Sequence, residues 1–578
     1  MGKRQLWQGR KNSRRMFWSL VGFLDKQEKK KLYLCMAFNV FSPIVDWVSV
    51  YVLILILGKL SEQKRNEGVL AQVVFLGIIF LIKGFYDLLK KKVSNGFLKD
   101  VAHVWSVKIY ELYMKEELLE HNQRSIMQQV TGVRTDTEVC ADIMVTYINR
   151  FARVITFFGY FLLAGYEVRW IGALVCCFIM ATVMLLFMHC RRRILQCGEK
   201  KRKGDIRVAS LVSIACGAYK EIKMDSRAEN LRKKYRRMSM EHVQVQKDFT
   251  FMTERMGVLS QSLIQSGIFF LLAFLLASGI DLSFFWADII ICITIVIQIF
   301  PNVVLFTSES NRIQFGKKNY EVFCANMKQY CKLKEQEKKE QRIRRKQITL
   351  QKGVRVENLT FQYPNGKEIF RDVSLEILAG HSTAIIGSSG IGKTTFLDLI
   401  LGLLTPQSGH IWYDDFDLTE GKDAEGACKA ELGSVVSYIP QIVYLNGDTI
   451  RNNVIFMAEE NAEDEERMIA CLKRAQIWED VKRLPDGIHT LIGENGMALS
   501  GGQRQRIAIA RALYKEFELL IMDEAMAALD METEKAVMEG IHQLEGDKTI
   551  LLVTHHLSLA EACEFIYKIE DKKLVRIR

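Results

Sequence analysis

The sequence predicts a chain in two parts: an α-helical membrane domain with six transmembrane helices, fused to an α/β domain. Three observations predict it. Six apolar stretches stand before residue 310, and a charge-dense segment, "KLKEQEKKEQRIRRKQ" (Lys332–Gln347), follows them. From about Ile348 onward, short apolar runs alternate with helical segments.

Length and composition are consistent with this division. At 578 residues the chain is long enough for at least two cores. The mean hydropathy of +0.04 averages a very apolar region with a very polar one. Prolines number only 6, which favours long uninterrupted helices. The 13 cysteines are scattered, many in apolar runs such as Cys176-Cys177, with no C-x-x-C pair. They read as small buried hydrophobes in a reducing compartment, not as a disulfide framework or a zinc site. The basic N-terminus, "MGKRQLWQGRKNSRRMFWSL", lacks the apolar stretch and cleavage site of a signal peptide and the pattern of a myristoylation signal.

The apolar stretches are Leu32–Leu57, Val69–Leu89, Val145–Tyr166, Trp170–His189, Gly257–Ala277 and Leu282–Phe306. Each is about the ~20 residues that a helix needs to cross ~30 Å of hydrocarbon. Any one of them fits a buried helix of a soluble protein, but six in a row do not. Their connectors alternate. Gly58–Gly68, Glu167–Arg169 and Ser278–Asp281 are short, whereas Lys90–Met144 and Cys190–Met256 are long loops rich in Lys and Arg, with dense runs at Arg191–Arg207 and Arg232–Arg237. Positive charge favours the cytoplasmic side. Both termini and both long loops are therefore expected in the cytoplasm, in a multi-pass protein of the cell (plasma or inner) membrane. The net charge of +12 is then a topology signal and an attraction to anionic lipid, and nucleic acid is not an expected partner. The expected domains are a basic arm (1–31), the membrane domain (32–310), a charged helical linker (311–347) and the α/β domain (348–578).

Within that last domain the apolar strand "TAIIG" runs into Gly387, Ser388, Ser389, Gly390, Ile391, Gly392, Lys393, Thr394 and Thr395, then into the helical "FLDLILGLL". This is G-x-x-x-x-G-K-[ST] in its strand–loop–helix setting, the P-loop. Its N–H groups wrap phosphates, Lys393 reaches the β- and γ-phosphates, and Thr394 offers a hydroxyl to Mg²⁺. A second apolar strand, "ELLIMDE", ends in two acids. Asp523 suits Mg²⁺, a hard cation that takes oxygen ligands, and Glu524 is placed to act as a general base. A third element, "LSGGQRQR" (Leu499–Arg506), reads as a turn opening a helix, with a second set of phosphate-holding groups in Ser500, Gly501 and Gly502.

In these motifs the domain resembles the nucleotide-binding domain of an ATP-binding cassette (ABC) transporter. "LSGGQRQRIAIARAL" followed by "LLIMDEAMAALD" is similar to that superfamily's signature in order and spacing. The resemblance implies ATP with Mg²⁺ as ligands, and roles for further residues. Tyr363 is similar to the aromatic residue that stacks on adenine, and Gln441 to the glutamine that senses Mg²⁺ and the attacking water. Asp530 is similar to the aspartate of the loop linking the two ATP sites, and His555 to the switch histidine at the γ-phosphate. Leu499 and Gln503 belong to the nucleotide-facing signature, and Glu494 resembles a nearby position that contacts the membrane-domain loops. Three positions depart from the pattern: Met526 and Ala527 stand where small polar residues are common, and His556 where arginine is. Asp530 remains, so the site is not read as degenerate.

The membrane half resembles the exporter type of this superfamily, chiefly in layout. "TGVRTDTEV" (Thr131–Val139) is similar to the return of the first long loop, and "ACGAYKEIKM" (Ala215–Met224) to the part of the second that touches the nucleotide domain. One P-loop and one signature per chain imply a homodimer, in which Ser500, Gly501 and Gly502 close over ATP held by the other subunit. The implied function is an ATPase-coupled exporter or flippase for an amphiphile such as a lipid-linked glycan, since "YKEIKM" looks like the loop of lipid-linked oligosaccharide flippases. An exporter of peptides or hydrophobic small molecules is the alternative within the class, without the N-terminal protease domain that peptide exporters often carry. A soluble ABC ATPase acting on nucleic acid and an ATP-gated channel are the alternatives outside it. Asp46, Lys83, Arg150, Arg153, Asp288, Gln298 and Asn302, in or near the spans, are the cargo-site candidates; Arg150 and Arg153 are also placed to snorkel. Pro301 is expected to kink the sixth span.

Overall fold

The computed structural model describes residues 15–61, 68–167, 169–224, 227–277, 286–340, 344–346, 348–423, 426–430, 432–456 and 465–578. Side chains are described for these apart from most of 167–191 and 271–292 and some shorter stretches. The chain divides into two compact units, 1–116 with 120–334 and 117–119 with 335–578.

The first unit is helical: α1 (15–22), α2 (Lys26–Ser61), α3 (Gly68–Lys115), α4 (Leu118–Asn122), α5 (Ile126–Thr131), α6 (Thr137–Glu167), α7 (Arg169–Gly217), α8 (Tyr219–Met224), α9 (Ala228–Ala277), α10 (Trp286–Phe315) and α11 (Lys317–Glu340). The six apolar stretches fall in α2, α3, α6, α7, α9 and α10 in turn, with 282–285 outside the described residues. Among the described residues, three helices are long and apolar enough to cross a membrane: Lys26–Ile56, Ala71–Lys115 and Ile293–Phe315.

The long connectors are not loops. Helices α3, α7 and α9 run on for 48, 49 and 50 residues, so most of both basic segments is helix. No proline lies between Pro43 and Pro301, and Lys, Arg and Glu are good helix formers, so nothing stops the backbone hydrogen bonding where the apolar run ends. The 311–347 segment also differs from a free linker. Helix α11 buries Phe323 and Met327 in a core with Trp105, Ile109, Leu112, Cys140 and Met144. The basic arm joins the same core from about residue 16, through Met16, Leu20 and Leu24.

That core is pinned by a buried charge. A π-helical turn, Gly132–Asp136, precedes α6 and ends on Asp136, which is fully buried. Its carboxylate accepts from Arg202 Nε (3.1 Å) and Nη2 (2.8 Å) on α7, and from Asn319 Nδ2 (2.7 Å) on α11. Removing one partner of such a pair strands the other in a low-dielectric site. Asp136→Ala is therefore expected to destabilise this unit by about 3 kcal/mol, seen as a lower thermal unfolding midpoint of the detergent-purified protein. An unchanged midpoint would show that Arg202 finds water instead.

The second unit carries strands β1 (Arg344–Lys346), β2 (Gly353–Gln362), β3 (Glu368–Leu378), β4 (Ser382–Ile386), β5 (Ser408–Tyr413), β6 (Phe416–Asp417), β7 (Lys422–Asp423), β8 (Gly426–Ala430), β9 (Val436–Ile439), β10 (Leu519–Asp523), β11 (Thr549–Thr554), β12 (Phe565–Glu570) and β13 (Lys573–Arg576). Its main helices are α12 (Lys393–Ile400), α13 (Ile450–Ile455), α14 (Glu465–Arg474), α15 (Trp478–Lys482), α16 (Gly501–Tyr514), α17 (Met531–His542) and α18 (Leu557–Glu561). One sheet runs β13-β12-β4-β11-β10-β9, parallel except for β13. Every residue of β4, β10 and β11 is buried, as expected of strands covered on both faces. The other sheet, β1-β8-β7-β6-β5-β2-β3, is mainly antiparallel. Parallel pairing places the ends of β4, β10 and β11 side by side: Asp523 aligns with Val553, and Thr554 with Ile386. The motifs that follow those strands therefore converge at one edge.

Candidate active site

Strand β4 delivers the chain into the 387–392 loop, and α12 begins at once. Gly390 (φ 76°) and Gly392 (φ 121°) take left-handed conformations that other residues rarely adopt. A side-chain carbon at Gly392 would also lie 2.5 Å from Ile369. The buried Lys393 folds back over the loop, and its Nζ donates to the carbonyls of Gly387 (3.0 Å) and Ser388 (3.3 Å).

Strand β10 delivers Asp523 and Glu524. Thr394 Oγ1 donates to Asp523 Oδ2 at 3.0 Å, and the Tyr438 hydroxyl on β9 lies 3.5 Å from the same oxygen. Burial pushes the Asp523 carboxyl up, and the Thr394 hydrogen bond works against that rise. Asp398, one turn into α12, is pushed up to about 6 by burial and by the charge of Asp523. A hydroxyl beside a desolvated carboxylate, with a second acid close by, is a hard-oxygen donor set. It fits Mg²⁺, with Thr394 and Asp523 to hold it and the Gln441 amide oxygen as a further donor.

Glu524 itself has φ 47°, left-handed for a residue with a side chain, and its N–H is fixed to the Val553 carbonyl at 2.9 Å. That strain, of order 1–3 kcal/mol, turns the side chain out of the strand direction. It meets Gln441 Nε2 (2.6 Å), Lys393 Nζ (3.1 Å) and His555 Nδ1 (3.5 Å). Burial raises its pKa, but Lys393 and His555 outweigh that and hold it below the usual carboxylate range. Glu524 is thus kept ionised at neutral pH, as a general base must be.

Within this chain the signature residues make local contacts. Ser500 caps α16: its Oγ accepts from Gln503 N (3.2 Å), and Gln503 Oε1 accepts from Ser500 N (2.9 Å), a capping box. Gln503 is thereby occupied in the cap, and Leu499 packs against the core. Gly502 leaves room for the Ala528 carbonyl, 3.1 Å from where a side-chain carbon would stand. The buried Gln505 accepts from Ala528 N at 2.9 Å, tying α16 to the segment that leads to Asp530. Asp530 caps α17 through Thr533 N (2.9 Å) and Oγ1 (2.8 Å), and those bonds hold its pKa down. Among the described residues no hydrogen bond joins 499–503 to 387–395. Tyr363 stands over the P-loop helix, its hydroxyl 3.0 Å from Thr395 Oγ1 and its ring edge-on to Phe361. Glu494 is exposed in a short 3-10 turn.

The membrane-span candidates largely find each other. Lys83 pairs with Asp46 at 2.6 Å. Arg153 donates to Glu309 (2.9 Å) and Asn302 (3.0 Å), and Asn302 Nδ2 donates to the Gln298 carbonyl at 3.1 Å. Arg150 lies over the Tyr147 ring, 4.8 Å from its centre. The Asp288 side chain is outside the described residues. Sequence reading missed Glu309, Tyr438, Asp398, Gln505 and Glu534. Glu309, an acid just past an apolar run, carried the one usable signal.

Residues 370–527 match the model of a family described as ABC transporter. The ATP-dependent lipid A-core flippase of Burkholderia pseudomallei is 38% identical over 226 residues, 39% of this chain and 36% of that protein. Its namesake from Francisella novicida is 41% identical over 224 residues, again 39% and 36%. The match thus spans about a third of the length of these relatives. The structure of a bacterial Atm1-family ABC exporter with ATP bound superposes with a TM-score of 0.75 over 94% of each chain, at 19% identity.

Proposed function

From the ABC transporter family match at residues 370–527 and the fold shared with an ABC exporter, we propose that this chain is a half-transporter with an ABC-type ATPase domain. Two copies would assemble into an ATP-driven exporter or flippase with composite ATP sites. All six apolar stretches would cross the cell membrane, with both termini and the ATPase unit in the cytoplasm. One observation carries the reading. A single chain holds Glu524 ionised between Lys393, Gln441 and His555, next to the Thr394–Asp523 pair, and also carries helices long and apolar enough to span a bilayer. Mg²⁺ at that pair would neutralise charge on the phosphates. Gln441, bonded to Glu524, would report ligand occupancy to the membrane domain.

An amphiphile with a lipid tail, such as a lipid-linked glycan, is the favoured cargo class. The relatives named above are lipid A-core flippases, which supports a lipidic substrate. The Asp46–Lys83 pair, inside two of the apolar stretches, offers polar groups for a headgroup. In proteoliposomes, ATP is expected to move a fluorescent lipid-linked oligosaccharide between leaflets, and Glu524→Gln is expected to abolish that movement. Movement of a labelled peptide instead would favour the peptide-exporter reading. ATPase activity without movement of either would count against both. Recovery of the protein in the high-speed supernatant, without detergent, would end the membrane reading altogether.

A further inference from the structure

A second histidine–glutamate pair stands directly behind the first. His555 meets Glu524 through Nδ1 at 3.5 Å, and its ring is half exposed, with Glu524 its described ionic partner. A single contact of this kind does not by itself fix the plane of the imidazole. The neighbouring ring does: His556 packs edge-on against His555, centres 4.3 Å apart and planes at 72°. His556 is itself anchored. Its N–H donates to Thr554 Oγ1 at 3.0 Å, and it occupies the mouth of α18. Its Nδ1 is 3.8 Å from Oε1 of Glu534, a carboxylate only 9% exposed in the first turn of α17.

The lining of the space between these groups makes the contact consequential. Besides the two glutamates, the two histidines and Thr554, it is walled by Ala525, Met526, Ala527, Leu552, Val553 and Leu559. Met526 and Ala527 are the positions where the sequence departs from small polar residues. A carboxylate buried against such walls requires a donor or a counter-charge. Among the described residues, the imidazole of His556 is the side chain that faces Glu534 as a possible donor. From the sequence alone, the histidine in place of arginine carried no physical meaning. The geometry supplies one.

We propose that His556 is a positioning residue of the hydrolytic site, held by the buried Glu534 so that its ring sets the orientation in which His555 meets Glu524. The line Glu524–His555–His556–Glu534 then joins the hydrolytic carboxylate to the helix capped by Asp530. A shift of α17 would be felt at the γ-phosphate end of the site. The inference rests on the reading of Glu524 and His555 given above.

The test is steady-state ATPase kinetics and equilibrium ATP binding on the full-length, detergent-purified protein. His556→Ala is expected to lower kcat about tenfold, the scale of a misaligned but present group, with KM and ATP affinity unchanged. His556→Arg, which offers Glu534 a planar donor of sufficient reach, is expected to recover most of that loss. Should the alanine variant not fold, His556→Gln carries the same test, since it keeps a donor but not the ring. Wild-type kcat in the alanine or glutamine variant, a loss that arginine does not recover, or a change in KM alone overturns the proposal. Glu524→Gln separates the two layers. If it keeps near-normal turnover, the hydrolytic reading itself fails, whatever His556 does.

Discussion

Replacing Glu524 with glutamine is expected to lower ATP turnover by about two to three orders of magnitude while leaving ATP affinity close to wild type. The expectation follows from what surrounds the carboxylate. Gln441, Lys393 and His555 all present hydrogen-bond donors to it, at 2.6, 3.1 and 3.5 Å. An amide keeps the volume and one acceptor oxygen, so the loop geometry should survive, and with it the phosphate cradle. What it cannot do is take a proton from water. The lowered pKa sharpens the point. A base with a depressed pKa is ionised throughout the neutral range, so wild-type activity should not fall off on the acid side of neutrality on account of Glu524. Turnover measured by phosphate release, alongside equilibrium binding of labelled ATP, checks both halves. Near-normal turnover would remove Glu524 from the base role, and a parallel loss of binding would mean that its pairing with Lys393 holds the cradle together.

The residues of the candidate site were legible because each belongs to a contiguous motif whose local geometry the sequence dictates. A strand running into Gly387–Thr395 leaves the chain one practical path, and the positive φ at Gly390 and Gly392 follows the glycines in the sequence. Contacts that cross elements were not legible. Tyr438 reaches Asp523 because β9 aligns it with Ile521 on β10, a register no single stretch records. Glu534 meets His556 although they lie on separate elements more than twenty residues apart. The basic connectors between the spans illustrate a different gap. Their charge is silent on conformation, and they proved to be continuations of α3, α7 and α9. The charges within the apolar stretches fall between these cases. Asp46 and Lys83 are conspicuous singly, and only the packing of α2 against α3 reveals them as partners at 2.6 Å.

The second large effect concerns the signature. Lys393→Ala removes the cation that lies over the P-loop and is expected to weaken ATP binding by about 1.5–3 kcal/mol, roughly ten- to a hundredfold. Ser500→Arg removes the cap of α16 and sets a positive charge at the positive end of that helix, where phosphate would otherwise be welcome. Each variant alone is expected to be nearly inactive at moderate ATP. Mixed in equal amounts before assembly, they should not remain so. Ser500 bonds to its own helix, and no described hydrogen bond connects 499–503 to the P-loop of the same chain. On the homodimer reading, the phosphate it serves is the one bound by a second copy. In a mixed dimer one composite site then carries both defects and the other carries neither. Random pairing makes about half of the dimers mixed, each with one intact site of two, so the mixture should recover about a quarter of wild-type activity. Recovery on mixing, at an ATP concentration where neither variant alone turns over, identifies a site built from two chains. If the mixture stays as inactive as its parts, or if wild-type activity does not depend on dimerisation, Ser500 acts within its own subunit and the homodimer reading fails with it.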